Sequence, residues 1–194
     1  MNPSLPNKLT LLRIILTFLF VFFISQEGIG YHLLAIFIFL LASLTDFYDG
    51  YLAKKYNLES DFGKIMDPIA DKFLILVAFF IFLKIGMLPI WMFVVIFLRE
   101  LSVTGLRIFA IRKGKIMPAE KSGKLKTVFQ IFTILTMLIF FTFIKSHHLN
   151  QSSLMMTYGG TLIYLLLLVT VILTLFSGFS YLWNNRDFIL HAHP

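Results

Sequence analysis

Four aspartates crowd into one stretch of the chain, Thr45 to Lys72, which reads TDFYDGYLAKKYNLESDFGKIMDPIADK. Apolar runs flank it on both sides, Ile36 to Leu44 before Asp46 and Phe73 to Leu83 after Asp71. Carboxylates at the edge of hydrocarbon are costly to keep, so they need a cause. On a helix Asp46, Asp49, Gly50 and Ala53 fall at i, i+3, i+4 and i+7 and share one face. Asp67 and Asp71, at i and i+4, share another. Four carboxylates drawn together repel until a divalent cation relieves them. With no Cys in the chain and no His nearby, an oxygen-only ligand set favours Mg²⁺ or Mn²⁺ over Zn²⁺. Gly50 and Ala53 leave room for a bulky ligand against the backbone, and Lys54 and Lys55 add positive charge beside it. That combination suits a phosphate or diphosphate bridged to metal.

The elements that position these residues belong in lipid. Of 194 residues, 58% are hydrophobic and 23 are Phe, whereas soluble domains are roughly 45–50% apolar. Apolar runs of about 20 residues cross a bilayer as helices, because only internally hydrogen-bonded segments tolerate hydrocarbon. The alternating segments of a membrane β-barrel are missing. The sequence therefore predicts an all-α, polytopic membrane protein, a single domain over residues 1–194, with six transmembrane helices and a short amino-terminal interfacial segment at Met1 to Lys8. The spans are expected at Leu9 to Ser25, Tyr31 to Lys55, Asp67 to Lys84, Ile90 to Ile111, after a basic linker from Arg112 to Lys126 as far as Ile144, and at Met155 to Trp183. Tyr56 to Lys64 reads as a turn or short polar helix, and Pro68 suits the first turn of the third span. No small-residue cleavage site follows the first span, so it reads as a retained helix.

Without cysteine, disulfides, thiolate nucleophiles and Cys-ligated metals are excluded. The net charge of +7 does not call for nucleic acid, since membrane proteins gather Lys and Arg on cytoplasmic loops. Of the 17 Lys and Arg, all but Lys84 and Lys145 fall on the side that holds both termini. That side is expected in the cytoplasm, and the four aspartates lie at its level. His147-His148 and the tail pair His191 and His193 have neither carboxylate partners nor i, i+4 spacing for a metal.

The acidic stretch resembles the signature of the CDP-alcohol phosphatidyltransferases, D-x2-D-G-x2-A-R-x8-G-x3-D-x3-D. Here it runs Asp46, Asp49, Gly50, Ala53, Lys54, Gly63, Asp67, Asp71, with every spacing kept. Lys54 stands where the pattern has Arg; it keeps the charge and loses the planar fork. Four other stretches, PNKLTLLR (Pro6 to Arg13), RELSVTGLR (Arg99 to Arg107), GKLKT (Gly123 to Thr127) and SGFSYLWNNRDF (Ser177 to Phe188), resemble the branch of that family that takes glycerol 3-phosphate as acceptor.

The resemblance implies a membrane-embedded transferase whose donor is CDP-diacylglycerol, with its diphosphate on two metal ions, Mg²⁺ or Mn²⁺, and its acyl chains in membrane lipid. It makes Asp46, Asp49 and Asp67 principal metal ligands, and Asp71 both a ligand and the general base. Asp49, Gly50, Ala53, Lys54 and Gly63 would form the CDP pocket, and a homodimer is expected. The acceptor carries a phosphate dianion, so a basic pocket should face the metals; Arg99, Arg107, Lys124 and Lys126 are the candidates. Charges between Arg112 and Lys126 also suit a topological or lipid-headgroup role. Two alternatives stay open: the same chemistry with inositol phosphate, serine or phosphatidylglycerol as acceptor, and a cation transporter using the acidic cluster. Secondary transporters often show internal repeats and broken spans near the midplane, and this chain shows neither.

Overall fold

Two glycines set the sharpest reversals of the chain. Gly28 (φ 119°) and Gly86 (φ 84°) occupy the left-handed region that side chains avoid. At Gly86 the amides of Met87 and Leu88 return to the Phe82 carbonyl, 3.0 and 3.3 Å away, which caps the helix before. Pro89, extended at φ −63° and ψ 140°, starts the next. The computed structural model describes residues 5–56, 61–113, 121–147 and 154–186, with side chains described over 10–45, 72–111, 113, 123–146 and 157–186.

The described residues form six helices and no strand: α1 (Leu5–Ile24), α2 (Ile29–Tyr56), α3 (Asp61–Ile85), α4 (Ile90–Arg112), α5 (Lys121–His147) and α6 (Leu154–Asn184). The all-α expectation holds, with shifted boundaries. The first helix takes in Leu5 to Lys8, where Pro6 sits in the first turn and gives up an amide that has no partner there. The third begins at Asp61, so Asp61 to Lys64 is helical and Pro68 lies inside the helix instead of in its first turn. An aspartate at the head of a helix favours this earlier start through the helix dipole. The fifth begins at Lys121, within the stretch expected as a linker.

Packing follows from where apolar bulk is continuous. α1 packs on α2 and α3, α5 on α6 and α2, and α4 on α6 and α3. Phe20, Phe39, Phe79, Phe82, Met92, Ile96, Ile134, Met137, Leu138 and Leu167 are fully buried among them. A smaller cluster, Val103, Ala110 and Tyr181 with Leu106, joins α4 to α6.

The outer surface is apolar too, with Phe18, Phe22, Phe37, Ile139, Ile172, Phe176 and Phe179 all more than half exposed. Exposed apolar surface on this scale needs a cover other than water. Among the described residues, two helices are long and apolar enough to cross a bilayer, over Gly123–Ser146 (24 residues) and Thr157–Asn184 (28 residues). At 1.5 Å per residue they reach about 36 and 42 Å, against a hydrocarbon core of about 30 Å. Inside this pair, the Thr133 and Thr170 hydroxyls meet at 2.8 Å.

Candidate functional site

α4 carries a carboxylate where the surrounding sequence is apolar. Glu100 is 1% exposed, and a charge so placed persists only if it is paired. Its partners come from three helices. Lys126 of α5, equally buried, donates to Oε1. The Gln130 amide, one turn further along α5, donates to the same oxygen at 3.2 Å. Arg99 of α4 reaches both carboxylate oxygens from Nη1 at 3.4 Å, and Lys72 of α3 brings its ammonium to 3.8 Å from Oε2. Among the described residues, three cations gather round this one carboxylate.

Arg99 extends the cluster to α6, where its Nη2 donates to the Ser177 hydroxyl at 2.7 Å. Gly123, near the start of α5, backs the same hydroxyl; a Cβ on it would stand 3.9 Å from Ser177 Oγ. Three stretches far apart in sequence, RELSVTGLR, GKLKT and SGFSYLWNNRDF, thus meet at one level of the bundle. Arg107 lies two turns along α4, about 12 Å by helical rise. It is half-buried, and its Nε has no hydrogen-bond partner among the described residues. Lys124 is exposed.

The acidic signature lies in helices that end at this level. Asp46, Asp49, Gly50, Ala53 and Lys54 belong to the last turns of α2, and Gly63, Asp67 and Asp71 to the first turns of α3. Both helices run unbroken through these positions, so the i, i+3 and i, i+4 spacings are helical spacings as expected. The side chains of these eight residues lie outside the described residues. Lys72 gives the nearest described anchor: it follows Asp71 directly and reaches Glu100, so the backbone of α3 at Asp71 stands beside the Arg99–Glu100 step of α4.

Among the acceptor-phosphate candidates, Arg99 and Lys126 are brought together on Glu100, Arg107 stands further along α4, and Lys124 faces outward. Lys126 neutralises Glu100 directly. Lys72, Gln130 and Gly178 belong to this cluster as well, and the sequence alone carries no expectation for the last two. A lone Gln within the apolar run of α5 was the readable signal for Gln130. Nothing comparable marked Gly178, whose part depends on how α6 packs on α4.

A divalent cation held by Asp46, Asp49, Asp67 and Asp71 would find only carboxylate oxygen in that set, the donor type of a hard cation. Comparison with known proteins gives the family. The family model described as CDP-alcohol phosphatidyltransferase matches residues 3–183. The CDP-diacylglycerol–glycerol-3-phosphate 3-phosphatidyltransferase of Bacillus subtilis (strain 168) is 36% identical over 196 aligned residues, covering 95% of this chain and 96% of that protein. The protein of the same name from Rickettsia prowazekii (strain Madrid E) is 35% identical over 187 residues, 93% of this chain and 94% of its own length. A probable phosphatidylglycerophosphate synthase of Mycobacterium tuberculosis (strain H37Rv) is 43% identical over 135 residues, 68% of this chain and 64% of its own.

Proposed function

We propose, because the chain belongs to the CDP-alcohol phosphatidyltransferase family, that it transfers the phosphatidyl group of CDP-diacylglycerol to glycerol 3-phosphate, giving phosphatidylglycerol phosphate and CMP. The observation that carries this reading is the cationic cluster on Glu100, joined through Lys72 to the segment of α3 that bears Asp67 and Asp71. Such a site offers carboxylates to metal and cations to a phosphate-bearing acceptor side by side.

Asp46, Asp49, Asp67 and Asp71 would hold two divalent cations, Mg²⁺ or Mn²⁺, which when bound neutralise charge on the diphosphate and on departing CMP. Asp49, Gly50, Ala53, Lys54 and Gly63 seat the CDP moiety, the small residues admitting it close to the backbone of α2 and α3. Arg99 and Arg107 of α4, with Lys124 and Lys126 of α5, supply the field that draws the acceptor's phosphate, Lys126 from behind Glu100. Asp71 takes the proton of the glycerol hydroxyl as its oxygen bonds to the phosphorus that carries diacylglycerol. The bond from that phosphorus to the CMP oxygen breaks, and CMP leaves with the electron pair.

The apolar runs support six spans, and the charge bias supports both termini and the acidic level in the cytoplasm, where the soluble nucleotide product would be released. The protein is proposed to act as a multi-pass cell-membrane protein and as a homodimer. The test is product identification by mass spectrometry. Purified protein is incubated in detergent with CDP-diacylglycerol and a panel of glycerol 3-phosphate, serine, inositol phosphate and phosphatidylglycerol. Phosphatidylglycerol phosphate from glycerol 3-phosphate alone is the expected result. A product from another acceptor would overturn the acceptor assignment and keep the donor chemistry; no product from folded, metal-loaded protein would favour ion transport.

A further inference from the structure

The SGFSYLWNNRDF stretch, carried into the proposed mechanism by none of its residues, opens with two that pack directly on Arg99. Ser177 is buried, 1% exposed, and its hydroxyl accepts from Arg99 Nη2 at 2.7 Å. Gly178, the next residue of α6, lies under the stem of the same side chain. A Cβ there would stand 3.0 Å from Arg99 Cγ, 3.6 Å from Nε and 3.9 Å from Cδ. No side chain of α6 intervenes, so the arginine lies along the helix backbone. On the other side Glu100 receives Nη1 on both oxygens. Stem and both ends of the fork are therefore held from two helices, while the side chain stays 10% exposed.

We propose that Ser177 and Gly178 form a seat that fixes the Arg99 guanidinium for the acceptor's phosphate, which makes both of them positioning residues. The inference rests on the reading that Arg99 meets that phosphate. A guanidinium recognises phosphate through a planar fork, and a fork held in place before binding loses less freedom on capture. The seat should therefore act on acceptor affinity and leave the donor alone. A Cβ at Gly178 would push the arginine stem aside by a few tenths of an ångström, and Ser177 fixes the rotation of the fork.

The experiment measures CMP release against glycerol 3-phosphate and CDP-diacylglycerol concentration for wild type, Ser177→Ala, Gly178→Ala and Arg99→Gln, and for each seat variant combined with Arg99→Gln. Inhibition by inorganic phosphate is measured alongside, and thermal unfolding establishes that each variant is folded. A charged hydrogen bond removed from a binding fork should raise the KM for glycerol 3-phosphate about tenfold. It should weaken phosphate inhibition in parallel, while kcat and the KM for CDP-diacylglycerol stay within about twofold. In the Arg99→Gln background the seat variants should add nothing, because the group they orient is gone. Equal effects with and without Arg99, or loss in kcat alone, would mean that Ser177 and Gly178 serve only packing. Wild-type protein active with glycerol 3-phosphate but seat variants unchanged would overturn the seat alone. A wild type that takes a different acceptor would overturn the reading beneath it.

Discussion

Three cations converge on one buried carboxylate among the described residues, and that makes Glu100 a residue whose loss should cost much in stability. Truncating it strands the Lys126 ammonium in an apolar interior, a change worth about 3–5 kcal/mol when one partner of a buried pair is removed. Glu100→Ala should therefore lower the unfolding temperature in detergent sharply. Glu100→Gln combined with Lys126→Met should lie closer to wild type than Glu100→Ala, because the buried ammonium is removed together with its carboxylate; strictly additive losses would contradict the pairing. Lys54 gives a milder prediction. Restoring the fork with Lys54→Arg should leave kcat unchanged and hold or lower the KM for CDP-diacylglycerol, whereas a rise in that KM would remove Lys54 from the CDP pocket. At this scale the sequence read well where chemistry is local. The spacing of Asp46, Asp49, Asp67 and Asp71 is legible because helical periodicity alone sets it. The contact of Arg99 with Ser177 was not, since it joins residues 78 apart through the angle at which α4 and α6 cross.

Helices of this chain are joined by close approach as much as by apolar bulk. Gly159 of α6 faces the Phe140 ring of α5, and a Cβ on Gly159 would fall well inside contact distance of that ring. Gly159→Ala should force the two helices or the ring to shift and destabilise by about 1–3 kcal/mol, and Phe140→Leu should relieve it. A neutral Gly159→Ala in thermal unfolding would show that the approach is slack. The Thr133–Thr170 hydrogen bond in the same helix pair should contribute less, since such bonds within membrane bundles average about 0.6 kcal/mol. Element existence was legible throughout, because apolar runs bounded by Gly28, Gly86 and Pro89 leave few other readings. The starts of α3 and α5 were not. Pro68 and the lysines from Lys121 onward look like boundaries locally, yet here a proline is carried inside a helix and Lys126 is buried against an acid on the neighbouring one.

Across the whole molecule, a skin of Phe, Leu and Ile encloses a polar cluster at one end, the pattern of a protein that handles a water-soluble group at a lipid surface. Orientation can be read directly because the chain has no cysteine of its own. Glu27→Cys, in the exposed turn between α1 and α2, should react with a membrane-impermeant maleimide in intact cells, and Lys113→Cys should react only after permeabilisation. The reverse labelling would invert the proposed topology. The central claim is that the acidic signature and the cationic cluster form one metal-dependent transferase site. The most direct measurement is CMP release from CDP-diacylglycerol and glycerol 3-phosphate by wild type and Asp71→Asn, each with Mg²⁺ or Mn²⁺ and with chelator. The account predicts release by wild type that chelator abolishes and metal restores. For Asp71→Asn it predicts a rate about 10²–10⁴-fold lower, the span of a lost general base. Release that survives chelator, or that Asp71→Asn leaves intact, would contradict it.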